Sequence, residues 1–289
     1  MKEKEEADRQ KDKADSQRII AEELKVVAEG QRKIAVEKRQ EIVDSIYYAK
    51  RIQDALLKEQ EYVSKHLPDH FILFKPNDIV SGDFYWGLEK QEYWYMAAAD
   101  CTGHGVPGAF LTMLGTSFLN EINATPALLT PAEILNQLRE RIIKDLHQTG
   151  KAGESKDCMD ISLLRLNLQT KEMLWAGANN PLYYISGNEL YETKPDKQPI
   201  GHADNLKPFT NHSFRLLKDE AVYIFSDGYS DQFGGPGGKK FMSKKLKETI
   251  LSISALSLFE QKEKLNEIFE NWKGNLQQID DVCVIGIRV

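Results

Sequence analysis

The sequence is poor in the features that mark secreted, membrane-spanning and nucleic-acid-binding proteins. Its 289 residues include only three cysteines, which are far apart and form no CxxC pair, so neither a disulfide framework nor a zinc knuckle is indicated. No apolar run is long enough to cross a bilayer, and the start of the chain has no signal-peptide core. The net charge of −6 argues against a nucleic-acid partner, because such proteins usually carry a basic face. We expect a cytoplasmic protein, either free or as the cytoplasmic part of a longer membrane-anchored chain.

Residues 1–62 are also nearly free of helix breakers. They contain no proline and a single glycine, Gly30, which is typical of a long helix. Apolar residues recur in two successive registers, and the shift between them resembles a coiled-coil stutter. The registers are Ile20, Leu24, Val27 and Ile34, then Ile42, Ile46, Ala49 and Leu56. A solvated helix packed on its own domain would account for this pattern. A parallel homodimer is favoured, because a polar helix of this length buries little surface without a partner.

Residues 63–289 show short strands and turns, with helices set apart from them. The stretch "CMDISLLRLNLQTKEMLWAGANNPLYYISGNELYE" predicts three successive strands, whose short turns require antiparallel pairing. Helical periodicity covers residues 105–121, 131–147, 241–253 and 256–273. Thr130 is the expected N-cap of the second of these helices, and Pro131 stands at its first position. This grouping predicts an α+β domain of layered sheets and helices rather than a doubly wound parallel fold.

Acidic residues stand at the edges of four apolar strands. They are Asp83 in "VSGDFYW", Asp100 in "AAADCTGHG", Asp227 in "YIFSDGYSD" and the pair Asp280 and Asp281 in "QQIDDVCVIGIRV". Any one of them alone would be an ordinary turn former or helix cap. If they converge, two carboxylates about 4 Å apart repel by roughly 4 kcal/mol and must take up protons or cations. Oxygen ligands suit Mg²⁺ or Mn²⁺ rather than zinc, and two such ions can activate water for attack on a phosphoryl group.

Six motifs around these acids occur in a recognisable order over residues 67–289. They are "SGDFYW", "DCTGHGVPGAFLTML", "WAGANNPLYY", "QPIG", "FSDGYSD" and "DDVCVIGI". Together they resemble the PPM-type metal-dependent serine/threonine phosphatases, in their bacterial SpoIIE/RsbU branch. The resemblance implies a central antiparallel β-sandwich flanked by helices, in an α-β-β-α arrangement. It also implies hydrolysis of protein phosphoserine or phosphothreonine by water activated between two Mn²⁺ or Mg²⁺ ions, without a covalent phosphoenzyme. The substrate in this branch is often a phosphorylated STAS-type anti-anti-sigma protein, so such a partner is implied.

The resemblance assigns catalytic and metal-binding roles to particular positions. Asp83 resembles the carboxylate shared between the two ions, and Asp100 resembles another ligand of that pair. Asp281 is either a ligand as well or a residue that orients water or its neighbour. The expected catalytic residues are Asp83, Asp100, Asp227 and Asp280, and the expected metal ligands are Asp83, Asp100, the backbone carbonyl of Cys101, Asp227, Asp280 and Asp281.

Several positions depart from the pattern of the eukaryotic relatives. Thr102 stands where those relatives have a histidine that is a proposed general acid. The histidine here comes at His104, and capping or packing of the following helix is its favoured role. Asn179 and Asn180 occupy the turn in which those relatives have an aspartate for a third metal, so the resemblance does not extend to a third site. Asp160 departs instead from many bacterial relatives, which are uncharged at this place in the apolar strand, and it is either an extra ligand or a salt-bridge partner.

The sequence thus predicts a helical signalling segment, residues 1–62, followed by a metal-dependent phosphatase domain, residues 63–289. The rival interpretation is a catalytically silent phosphatase-like module that regulates a partner. Retention of all the strand-end acids argues against it, because an inactive protein has no need to keep mutually repelling carboxylates.

Overall fold

The computed structural model describes residues 2–57, 60–67, 69–151 and 156–289. The chain divides into two compact units, Met1–Tyr48 and Ala49–Val289. Its helices are α1 (Lys2–Leu56), α2 (Gln60–His66), α3 (Gly105–Asn123), α4 (Pro131–Asp145), α5 (Gly228–Asp231), α6 (Ser243–Ile253) and α7 (Leu258–Lys273). Its strands are β1 (His70–Lys75), β2 (Asp83–Lys90), β3 (Tyr93–Cys101), β4 (Met159–Asn167), β5 (Glu172–Ala178), β6 (Leu182–Ser186), β7 (Glu189–Thr193), β8 (His212–Arg215), β9 (Ala221–Phe225), β10 (Phe233–Gly234), β11 (Lys239–Lys240) and β12 (Val282–Arg288).

Most of α1 forms the first unit, so the long N-terminal helix predicted from composition is confirmed. The apolar residues of its first register remain exposed: Ile20 is 55%, Leu24 64%, Val27 56% and Ile34 60% accessible. No described helix combines the length and the apolar character needed to span a bilayer.

The second unit begins at Ala49, earlier than the expected boundary after residue 62. The reason lies in two side chains near the end of α1. Gln53 and Leu57 both precede the expected boundary and are buried, Leu57 in the core of the second unit, so this part of the chain belongs to that unit by packing.

Among the described residues, the β-structure consists of two five-stranded sheets and one small hairpin. We call β1-β12-β9-β6-β7 the first sheet and β2-β3-β4-β5-β8 the second sheet; β10 and β11 form the hairpin. All the strand pairs in these sheets are antiparallel. Helices α3 and α4 pack on the second sheet, and α6 and α7 pack on the first. The layers therefore follow the expected α-β-β-α order, and the fold class is confirmed.

Helix α4 begins as the sequence predicts, because its capping groups are local. The Thr130 hydroxyl accepts from the backbone N–H of Glu133, and the Glu133 side chain accepts from the Thr130 N–H, with Pro131 at the first helical position. This reciprocal pair satisfies two backbone donors that the first helical turn would otherwise leave unpaired.

The expectation that three successive strands form one antiparallel run is wrong at its second turn. Strands β4 and β5 pair as expected, but β6 lies in the other sheet, between β7 and β9. The Asn179-Asn180-Pro181 turn therefore carries the chain from one sheet to the other. Asn179 has a φ of 58°, a left-handed conformation that asparagine tolerates better than most residues. Pro181 follows and has no N–H to extend the β5 ladder.

Candidate metal centre

A row of carboxylates crosses the second sheet at one end of its strands. Asp83 of β2 is directly opposite Asp100 of β3, which is in turn directly opposite Asp160 of β4. Directly opposed residues of antiparallel strands project from the same face, with their Cβ atoms about 4.5–5.5 Å apart. Backbone register alone therefore brings three acids together.

The first sheet contributes two more acids to the same place. Asp227 follows β9 and Asp280 precedes β12. Because β9 and β12 are antiparallel neighbours, the two residues lie at the same end of this pair of strands. Electrostatics shows that they reach the acids of the second sheet: Asp227 lies within hydrogen-bonding reach of Asp100, and repulsion from Asp280 adds to the rise in the Asp100 pKa. The four acids predicted to act together are thus brought together across the β-sandwich.

Burial and mutual repulsion raise the pKa values of these groups. Burial raises the pKa of Asp100 to about 8, with repulsion from Asp227, Asp280 and Asp160 adding to it. The pKa of the fully buried Asp83 is raised well above its usual range by burial and then by Asp100, against a hydrogen bond from Ser226 that lowers it. The pKa values of Asp227 and Asp280 are raised as well, in both cases chiefly by removal from water. At neutral pH this cluster therefore holds protons or requires cations.

The donor set fits a hard divalent cation in chemistry and charge. It offers carboxylate oxygens, and Cys101 lines the same cavity. Among the described residues, no three acidic, histidine or cysteine side chains already have the spacing of a closed cage. Mg²⁺ does not need such a cage, because it keeps several waters and is usually bound through one or two carboxylates.

A tight turn between β3 and α3 packs directly against the loop that precedes Asp83. Gly103 and Gly105 have φ values of +86° and +65°, in the left-handed region that glycine enters without steric cost. A Cβ atom on Gly82 would lie 2.5 Å from the Gly103 carbonyl oxygen and 3.3 Å from the Cys101 carbonyl oxygen. The glycines therefore let the chain turn into α3 while the Cys101 carbonyl stays close to the Asp83 loop.

A cavity of about 230 Å³ opens beside this turn. Its lining residues are Asp100, Cys101, Thr102, Gly103, His104, Cys158, Asp160 and Asp280. Asp83 is only 1% exposed and lies outside this lining. The arrangement gives a ligand access to some of the acids and keeps Asp83 out of water.

Asp281 is buried, and both of its carboxylate oxygens accept hydrogen bonds from the backbone. Oδ1 accepts from the Asn77 N–H and Oδ2 from the Gly82 N–H, each at 2.7 Å. Of the two roles that the sequence left open, the contacts favour orientation, and the group oriented is the loop before Asp83. The Asp83 carboxylate is held by Ser226. The Ser226 hydroxyl donates to Asp83 Oδ2 at 2.5 Å and accepts from the Cys283 N–H at 3.0 Å.

The prediction that His104 caps or packs against the helix that follows it is wrong. His104 occupies the N-cap position of α3, but its side chain makes no capping hydrogen bond and is exposed. It instead lines the cavity, together with Asp280.

Asp160 is not a salt-bridge partner, which was one of its two expected roles. Its partner is the side-chain amide of Asn179, which donates to Oδ1 at 2.8 Å, rather than a basic side chain. Burial raises the pKa of Asp160 to about 6. The residue lines the cavity, where it faces Asp100.

Sequence reasoning missed a basic residue beside the acids. Lys240, at the end of the glycine-rich β10–β11 hairpin, donates to Asp231 at 2.7 Å. This bond is the main cause of its raised pKa, and Asp227 and Asp280 add to the effect. The sequence around Lys240, which follows "GGPGGK", does not indicate that this residue lies near the acids. Only the folded hairpin places it beside Asp231 of α5.

Comparison with known proteins identifies relatives of the second unit. The sequence profile of Stage II sporulation protein E (SpoIIE) matches residues 90–289. Phosphoserine phosphatase RsbU of Bacillus subtilis (strain 168) is 23% identical over 198 residues, which are 67% of this chain and 55% of RsbU. The chain thus spans about half the length of that relative.

Solved structures share the fold. The SiaA-PP2C domain of Pseudomonas aeruginosa is 31% identical, with a TM-score of 0.78 over 87% of this chain and 98% of that chain. The PP2C phosphatase domain of Bacillus subtilis SpoIIE, solved with a fragment of its regulatory domain, is 17% identical, with a TM-score of 0.61 over 76% of this chain and 63% of that chain. The latter likeness is one of fold alone.

Proposed function

The chain belongs to the SpoIIE family of PPM-type phosphatases, and we propose that it hydrolyses phosphoserine or phosphothreonine on a partner protein with the help of two divalent cations. One observation carries the proposal. Asp83, Asp100, Asp227 and Asp280 come from both sheets to one place, where burial and repulsion raise their pKa values. Such an arrangement opposes folding in the absence of cations, so a bound cation is the simplest reason for it.

We assign the ligands by position. Asp83 would contribute to both ions, Asp100 and the Cys101 carbonyl would hold one of them, and Asp227 with Asp280 would hold the other. When bound, the pair of ions (Mn²⁺ or Mg²⁺) lowers the pKa of a water molecule and neutralises charge on the phosphoryl group.

The remaining residues prepare this site for a phosphoester. Asp281 and Ser226 hold the Asp83 loop and the Asp83 carboxylate through hydrogen bonds to buried atoms. The cavity beside Asp100 and Asp280 is the place for the phosphate group. His104 lines that cavity. Lys240 lies within electrostatic range of Asp227 and Asp280 and supplies positive charge near an incoming dianion.

For the substrate we propose a phosphorylated protein. The curated relative RsbU is named a phosphoserine phosphatase, which supports a phosphoserine or phosphothreonine ester over other phosphoesters. The narrower choice, a STAS-type partner in bacterial signalling, is supported by the motif resemblance.

We further propose that the long N-terminal helix forms a parallel homodimer. Ile20, Leu24, Val27 and Ile34 are each more than half exposed. A second copy of the same helix would bury them in a shared seam.

Phosphate release from phosphoserine, phosphothreonine and phosphotyrosine peptides tests the activity. We expect release from the first two in the presence of Mn²⁺, and much less from the third. If no peptide and no generic phosphoester releases phosphate at any Mn²⁺ concentration, the chain is the silent module instead.

A further inference from the structure

Three large apolar side chains are exposed on the two segments that flank Asp227 and Asp280. Phe233, at the start of β10 and shortly after Asp227, is 39% exposed. Leu276 and Ile279, in the stretch just before Asp280, are 49% and 41% exposed. A single exposed apolar residue needs no explanation, but a group of them beside a site is typical of an interaction surface.

The buried amide of Gln232 ties these two segments together. Gln232 is fully buried. Its Nε2 donates to the carbonyls of Phe233 and Gln277 at 2.9 and 3.0 Å, and its Oε1 accepts from the Ile279 N–H at 3.2 Å. Burial of an amide is costly without such partners. Gln232 therefore holds the segment that bears Phe233 against the segment that bears Leu276 and Ile279.

The β10–β11 hairpin is also packed closely on α7. The Gly235 N–H donates to the Trp272 carbonyl at 2.7 Å, and Trp272 Nε1 donates to the Gln232 carbonyl at 3.1 Å. Gly234 leaves no room for a Cβ atom, which would overlap the Trp272 carbonyl. Phe233 is thus exposed on a hairpin whose backbone is anchored on both sides.

Positive charge accompanies these apolar side chains. Residues 239–247 contain five lysines, although the chain as a whole has a net charge of −6. One of them, Lys240, has its Nζ 5.9 Å from the centre of the Phe233 ring and donates to Asp231. Asp231 in turn contributes to the raised pKa of Asp227. Apolar surface and positive charge therefore meet beside the acids of the metal centre.

We propose that this surface docks the segment of the partner protein that flanks the phosphorylated residue, and that it selects apolar and acidic side chains there. We call Phe233, Leu276, Ile279 and the lysines of residues 239–247 the hairpin patch. The choice of a phosphorylated occupant rests on the proposed function. A chain whose phosphorylated residue reaches Asp227 and Asp280 passes beside the hairpin patch, because the patch follows one of these acids and precedes the other. Charge complementarity makes that chain acidic.

The test compares two phosphoserine peptides of equal length. One carries leucine and glutamate on both sides of the phosphoserine, and the other carries serine and glycine at the same positions. Affinity is measured by fluorescence anisotropy with the full chain and Mn²⁺, using the non-hydrolysable phosphonate analogue of each peptide. The ratio of the two affinities cancels changes in the metal centre, because both peptides meet the same centre.

We expect the wild type to prefer the leucine–glutamate peptide. Phe233→Ser with Leu276→Ser should reduce this preference by about 10-fold, because burial of a large apolar side chain changes affinity by about that factor or more. Leu217→Ser with Phe259→Ser is the matched control. It removes two side chains that are 64% and 73% exposed outside the hairpin patch, and it should keep the preference.

Charge reversal gives a second, independent variant. Lys239→Glu with Lys244→Glu should weaken binding of the leucine–glutamate peptide by about 5-fold, and less at high salt, as for exposed ion pairs. Lys207→Glu with Lys218→Glu changes the net charge equally at exposed positions outside the hairpin patch and should have no such effect.

Equal affinity of the wild type for the two peptides, or no measurable binding of either, overturns the proposal. So does a preference that the Phe233 and Leu276 variant retains. Loss of binding to phosphatidylglycerol vesicles in the hairpin-patch variants, with the peptide preference intact, would make the patch a membrane contact and overturn it as well. Phosphate release from the unmodified peptides tests the proposed function separately. A wild-type chain that shows the binding preference but releases no phosphate refutes that function and leaves the docking surface standing.

Discussion

Asp83 and Asp100 face each other as directly opposed residues of β2 and β3, with the pKa of each carboxyl raised by burial and by repulsion from acids nearby. Like charges at directly opposed positions of an antiparallel pair are destabilising. The folded chain therefore carries a strained electrostatic arrangement that a proton relieves in part and a divalent cation relieves fully.

Metal-free protein should lose stability as the pH rises from 6.5 to 8. The pKa of Asp100 is about 8 in the folded state against an ordinary value of 3.8, so the folded chain holds a proton that the unfolded chain has released. Stability is then fully present at low pH and is lost as the pH rises through the folded pKa. His70, whose pKa is lowered by burial, acts in the opposite direction only below about pH 6.5.

Thermal unfolding in EDTA at several pH values checks this prediction. We expect the melting temperature to fall across the interval, and excess Mg²⁺ to raise it most at the upper end. Asp100→Asn should flatten the profile. A melting temperature that stays level or rises with pH in EDTA would contradict it.

Asp83→Asn should abolish activity without unfolding the protein. The amide keeps the volume and can still accept the Ser226 hydrogen bond, but it removes the charge. Activity should fall about 100-fold or more, since even partners of metal ligands change affinity or activity by 10–100-fold. The metal-free melting temperature should equal or exceed that of the wild type. Asp227→Asn should behave alike, and Asp44→Asn, exposed on α1, is the control. Wild-type rates in both active-site variants would refute the ligand assignment.

Asp281→Asn, unlike Asp83→Asn, should lower the stability of the metal-free protein. Asparagine has only one acceptor oxygen, so either the Gly82 or the Asn77 N–H loses its buried partner. We expect a loss of about 1–3 kcal/mol in the free energy of unfolding without metal, measured by chemical denaturation. If metal-free Asp281→Asn is instead as stable as Asp83→Asn, Asp281 acts as a repelling ligand and not as an anchor of the loop.

The full chain should be a dimer, and a chain that begins at Ala49 should be a folded monomer. The cut follows the boundary between the two compact units and retains Gln53. Light scattering coupled to gel filtration at micromolar concentration measures both masses. Leu24→Glu with Ile34→Glu should convert the full chain to a monomer, because both side chains lie in the proposed seam. A monomeric wild-type chain would rule out the dimer.

Local signals made much of this molecule predictable from its sequence. Thr130, Pro131 and Glu133 lie next to one another, and the start of α4 follows from them alone. The acids could be found because each stands where an apolar strand meets a turn, in motifs that occur in family order. Their meeting across two sheets follows once the fold is known.

Contacts between distant segments could not be predicted in this way. The buried Gln53 amide donates to the Ser81 carbonyl, 28 residues away, although its helix reads as polar and nothing in its neighbours marks it. Asp280 and Asp281 are adjacent and chemically identical, and only the structure shows one lining the cavity and the other holding backbone amides. The passage of the chain from β5 to β6 was missed because a turn of Asn179, Asn180 and Pro181 fits a hairpin as well as a change of sheet.

Phosphate release from p-nitrophenyl phosphate by the full chain, with Mn²⁺ and with excess EDTA, tests the central claim most directly. The account predicts hydrolysis that rises with Mn²⁺, stops on chelation, returns when Mn²⁺ is restored, and is lost in Asp227→Asn under all these conditions. Undiminished hydrolysis in excess EDTA, or equal rates for the wild type and Asp227→Asn at saturating Mn²⁺, would contradict it.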